Sequence, residues 1–226
     1  MEYFMDYTKT VEKIETYIYE NFDILKFLYL REGDCKYARI INYIENGKTL
    51  EKLKKEIGLF YRFQGMDNLK RINLLKMFDV EREKIKSIHS KNIDEVFDLY
   101  STLLKKTEKI TGKCQYVNTA KLMNLYNQDV PLFDNNVINF LNQLNIGEKI
   151  EKRTEGNYKH ILNIYKIINK QESVPNIIKL KNNVYSDMEI KYINLNKFVD
   201  TLMYFINDAK KLSEYKKLCI NNKRQY

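Results

Sequence analysis

The chain has 226 residues, 44% of them hydrophobic and 31% charged, which fits a globular protein with a real core. Only 2 Pro and 7 Gly are present, too few for the tight turns of a β-sandwich or barrel, and the strand–helix punctuation of an α/β fold is missing, so an all-α fold is expected. The formal charge of +9 favours anionic partners, chiefly nucleic acid.

Residues 8–22 place Val11, Ile14, Tyr17, Ile18 and Phe22 on one helical face. The apolar stretch from Asp23 to Leu30 extends this to a break at Gly33. A second helix is expected over 35–46, ending at Gly47. Thr49 then caps a short basic helix from Leu50 to Ile57, ended by Gly58. Residues 4–58 resemble a winged-helix or other helix-turn-helix unit, although plain helical packing accounts for them more simply. Phe60, Tyr61, Phe63 and Gly65 form an aromatic loop, followed by helical segments at 67–78 and 80–89.

A long helix runs from Asp94 to Ile110, burying Val96, Phe97, Tyr100, Leu103 and Leu104, and Gly112 stops it. A short helix and a loop containing Pro131 lead to Asp134, which opens a helix ended at Gly147. Residues 157–170 form a further helix. Pro175 and Asn176 mark a loop, and 176–193 read as irregular chain or a short strand. Asn194 or Asn196 caps a last helix carrying Phe198, Val199, Leu202, Met203 and Phe205. No linker separates domains. The division is an N-terminal region, 1–90, and a second region, 91–226, or one continuous domain.

Cys35, Cys114 and Cys219 are far apart and form no Cys-x-x-Cys, and His89 and His160 lack partners at metal-ligand spacing. Neither a metal nor a cofactor is expected. No apolar run is long enough to span a membrane, and no apolar leader opens the chain, so no membrane association and a cytoplasmic setting are expected. Heavy use of Lys, Asn, Ile and Tyr follows from AT-rich coding and carries no functional weight. Residues 1–34 are net acidic, so the positive surplus lies downstream, in part in a tail with Lys210, Lys211, Lys216, Lys217, Lys223 and Arg224.

The segment from Ile110 to Leu141 is the most specific part of the chain. Val130-Pro131-Leu132-Phe133-Asp134-Asn135-Asn136-Val137 resembles the segment that holds the catalytic Asp in helix-hairpin-helix DNA glycosylases. Thr119-Ala120-Lys121-Leu122-Met123, and later Phe198-Val199-Asp200-Thr201-Leu202, are similar to elements of less characterised glycosylase-like proteins, so the resemblance covers about residues 92–206. It implies an all-α bundle with a helix-hairpin-helix glycosylase-like core that acts on double-stranded DNA. It also implies cleavage of the N-glycosidic bond of a damaged or mismatched base. Asp134 and Lys121 are the implied catalytic residues. Gly112 and Lys113, in the hairpin Ile110-Thr111-Gly112-Lys113-Cys114, and Gln115 and Tyr116 just after it, are the implied DNA contacts.

The departures are Thr111 for the hairpin Pro, Cys114 for its second Gly, and Tyr116 where lyase-active members carry Lys. The implied enzyme therefore has weak lyase action or none.

Each residue also has a purely structural account. Asp134 suits a helix N-cap, Lys121 and Lys113 a solvated surface, Tyr116 the core, and Asp200 a surface acid or the partner of a core Lys. Two other functions stand beside the enzyme: a non-catalytic DNA-binding protein on the same scaffold, and a helical, defence-related protein-interaction module.

Overall fold

The computed structural model describes residues 6–33, 35–60, 66–88, 92–144, 150, 153–188 and 193–207. The rest of the aromatic loop at 61–65, Gly147 and the basic tail lie outside them. Among the described residues there are twelve α-helices and no strand. They are α1 (Tyr7–Glu20), α2 (Phe22–Glu32), α3 (Cys35–Glu45), α4 (Lys54–Phe60), α5 (Asn68–Val80) and α6 (Arg82–Ser87). There follow α7 (Ile93–Thr111), α8 (Tyr116–Tyr126), α9 (Asn135–Gln143), α10 (Glu155–Ile168), α11 (Pro175–Met188) and α12 (Leu195–Asn207). The protein is all-α.

Local chemistry sets most of the boundaries. Asp6, Asp67, Asn92, Asp134 and Thr154 each accept a backbone N–H in the first turn of the helix that follows. Gly112 ends α7 with φ of 77°, a left-handed C-cap whose N–H donates to Glu108 O at 2.7 Å. Asn194 caps α12, its Oδ1 accepting Lys197 N–H at 3.0 Å.

Two expectations are corrected. The helix after Thr49 does not begin at Leu50, and Gly58 does not end it. Residues 50–53 form a turn, α4 starts at Lys54, and Gly58 lies inside it. The physical cause is Asp79, whose carboxylate takes the N–H groups of Leu50 and Glu51 at 2.6 and 3.1 Å and holds them in the turn. Residues 175–188 are neither a loop nor a strand but α11, with Pro175 at its first position, where a missing N–H costs nothing. The N–H groups of Asn176 and Ile177 donate to the Glu15 carboxylate of α1, at 2.8 and 3.0 Å.

One core runs from Val11 to Ile206 and joins residues on both sides of position 90. Its centre is α12, where each residue from Leu195 to Met203, and Phe205 and Ile206, is buried. A helix apolar on most of its circumference needs neighbours on all sides. Here they include α2, α9 and α11, with aromatic contacts from Tyr29 to Phe198 and Phe205 and from Tyr185 to Phe198. The helix α7 packs on α8, α10 and α5, and α3 packs on α8. Any polar side chain on the buried sides of α12 is therefore carried into the core.

Candidate functional site

The helix–turn–helix formed by α7 and α8 is built on Gly112. Thr111 Oγ1 braces the turn by donating to Lys113 O at 2.8 Å, although Thr stands where Pro was implied. Gly112, Lys113 and Cys114 are exposed. Gln115 sits at the N-cap of α8 but gives no side-chain cap; its Oε1 accepts from Asn118 Nδ2 at 2.9 Å. Tyr116 is half-buried against the core, and its carbonyl accepts from Tyr100 OH at 3.2 Å. The Cys114 thiol donates to Glu108 Oε1 at 3.3 Å, and that carboxylate raises the thiol above its ordinary value, working against thiolate formation. Lys105 and Lys109 lie one turn apart near the end of α7, and Lys113 follows in the turn beyond the Gly112 cap; all three are exposed and in no ion pair among the described residues.

Lys121 lies five residues into α8, about 7.5 Å along the axis from Tyr116. Its Nζ is 3.4 Å from Asp134 Oδ2, and the two side chains are 19% and 16% exposed. Asp134 thus does two things. Oδ1 caps α9 through the N–H groups of Asn136 and Val137, at 2.9 and 3.3 Å, while Oδ2 meets the lysine. Lys121 is accordingly not a solvated surface lysine. Gly112, Lys113, Gln115 and Tyr116 share the turn, and Asp134 with Lys121 form a separate pair further along α8.

The segment leading to Asp134 is gripped from three helices. Asn124 of α8, fully buried, donates Nδ2 to Val130 O at 2.7 Å and accepts from Tyr37 OH at 2.8 Å. Asn196 of α12 donates to Asp129 O at 2.8 Å, and Tyr158 of α10 to Pro131 O at 3.0 Å. Asp200 of α12 accepts Leu132 N–H on Oδ2 at 3.4 Å and Tyr165 OH on Oδ1. Burial of peptide groups requires such partners, and here side chains supply them.

Asp200 is 3% exposed and so not a surface acid. Burial pushes its carboxyl up to about 7, with the Asp134 charge adding to the rise, while Lys197 and the Tyr165 hydroxyl oppose it. Tyr165 is itself raised well above the usual phenol range, by burial first and then by Asp200. Lys197, also buried, donates Nζ to Thr201 Oγ1 at 2.8 Å and stands 4.9 Å above the Tyr37 ring.

Reading the sequence singled out Asp134, Lys121 and Asp200, but not Lys197, Tyr165, Asn124, Asn196 or Tyr37. One signal was present: in Phe198-Val199-Asp200-Thr201-Leu202-Met203-Tyr204-Phe205-Ile206 apolar residues occupy every helical face, so a polar residue among them is buried. Among the described residues no three His, Cys, Asp or Glu side chains group to hold a metal ion, and no helix is long and apolar enough to cross a membrane. No family model matches the chain, and no curated protein or solved structure matches it.

Proposed function

We propose that the protein is a DNA N-glycosylase-like base-excision enzyme that hydrolyses the bond between deoxyribose and a damaged or mismatched base. The observation that carries this reading is the Lys121–Asp134 contact at the start of α9, on the helix that follows an exposed, glycine-capped turn. As the glycosidic bond breaks, the bonding electrons leave with the base and positive charge develops on the sugar. A carboxylate beside the anomeric carbon stabilises that charge, orients the attacking water and takes its proton, while the departing nucleobase takes a proton from solvent. Tyr116 stands where lyase-active members carry their Lys, so the reading is of a glycosylase with weak Schiff-base strand cleavage or none.

The target base leaves the duplex before reaction, so phosphates on both sides must be held. The N–H groups of Cys114 and Gln115, with Lys105 and Lys109 of α7 and Lys113 of the turn, supply groups suited to this.

The test is a denaturing-gel assay on duplexes carrying 8-oxoguanine, uracil, a G·T mismatch or an abasic site, with and without alkali. The expected result is alkali-dependent cleavage at one lesion, lost in Asp134→Asn, with duplex retention unchanged within about twofold. Asn keeps a cap acceptor, so the fold survives. Undiminished cleavage by the variant overturns the mechanism.

One observation favours a non-catalytic DNA-binding protein instead. Both Asp134 oxygens are already engaged, one by the cap and one by Lys121. That reading predicts salt-sensitive retention of duplex and no cleavage at any lesion.

A further inference from the structure

We propose that Asp200 is a positioning residue for Asp134: from inside the core it fixes the 130–134 segment through the Leu132 N–H, and in that place it feels the Asp134 charge. The catalytic meaning of this rests on the glycosylase reading; the geometry does not.

Three observations carry it. Leu132 is two residues before Asp134, and Asp200 is the buried group that takes its N–H. The other grips on the segment, from Asn124, Asn196 and Tyr158, are neutral. A buried carboxyl carries a desolvation penalty that a neutral acceptor would not, and here it takes two donors at once, the Leu132 N–H and the Tyr165 hydroxyl. Thirdly, Asp200 is itself held: Tyr165 of α10 donates to Oδ1, and Lys197 lies one turn earlier on α12. The titratable groups facing it are thus Tyr165 and Tyr158 from α10, Lys197 from its own helix and Asp134 from the start of α9. Lys121 of α8 reaches the cluster through Asp134. The Asp134 charge adds to the rise at Asp200, so removing that charge is felt at Asp200.

The test has two arms, both on the full-length chain. In the first, the Asp200 side-chain carboxyl is followed by carbon-13 NMR against pH in the wild type and in Asp134→Asn. The wild-type midpoint is expected near 7 and the variant's below it, because a neighbouring negative charge has been removed. An unchanged midpoint overturns the coupling. In the second, single-turnover base excision is compared between the wild type and Asp200→Asn. The expected result is a loss of rate on the order of 100-fold with duplex affinity held within about twofold. A lower Tm with the rate intact makes Asp200 structural only and overturns the proposal. A wild type that cleaves no lesion removes the glycosylase reading, and the NMR arm still decides the coupling.

Discussion

At the scale of single residues, Asp200 ties the stability of the protein to pH. In an unfolded chain an Asp titrates at about 3.9. In the folded core the Asp200 proton is held up to about 7, so between these values the folded state binds more protons than the unfolded state. The sign follows. The contribution is fully present below about pH 4 and is lost as pH rises through 7, to an extent on the order of 4 kcal/mol. Urea denaturation from pH 4.5 to 8 should therefore show wild-type stability falling relative to Asp200→Asn, whose amide does not titrate. Parallel pH profiles for the two proteins would show that Asp200 is charged to the same degree folded and unfolded. Asp134 differs in kind, because its cap and its ion pair use different oxygens. A substitution that keeps one function and removes the other can separate them.

At the scale of helices, several ends are completed by residues far away in the chain. Glu15 is 7% exposed and caps α11 across 161 positions of sequence. Replacing it by Ala leaves two N–H groups at a packed helix end without acceptors, at a cost of about 1–3 kcal/mol. Exposed Glu12, one turn earlier on α1, should change stability by less than about 0.5 kcal/mol when replaced by Ala. Chemical denaturation of both variants checks the contrast, and equal effects would mean that the cap contributes nothing. The same arrangement explains which helices could be read from sequence. α1, α7 and α9 carry their own caps and a clear apolar stripe, and both signals lie within four residues. α11 has its cap on α1, and the turn at 50–53 has its acceptor on α5, so neither was legible locally.

At the scale of the whole molecule, a charge of +9 makes binding to an anionic polymer sensitive to salt. Lys105 and Lys109, with about 6 Å of rise between them on α7, and Lys113 in the turn bring part of that charge together at this end of α7. If each meets a phosphate, replacing all three by Ala should lower the slope of log K against log salt by about 2.7, at about 0.9 per contact. Filter retention of a duplex over a salt series measures this. The same loss of slope from three exposed lysines elsewhere, such as Lys36, Lys54 and Lys55, would make the charge diffuse rather than aligned.

The sequence by itself determined the class of the fold and its local punctuation. Scarce Pro and Gly, periodic apolar residues, and caps such as Asp134 and Gly112 act over a few residues, where chain connectivity already places the interacting groups. Only the tertiary structure decided that Lys121 meets Asp134, that Asp200 takes the Leu132 N–H, that Lys197 is a core residue, and that Tyr165 and Asn124 hold the same region. Those partners come from α8, α10 and α12, which chain-local patterns cannot bring together. Their meeting depends on how the described helices bury one another, and burial then decides which of their charges matter.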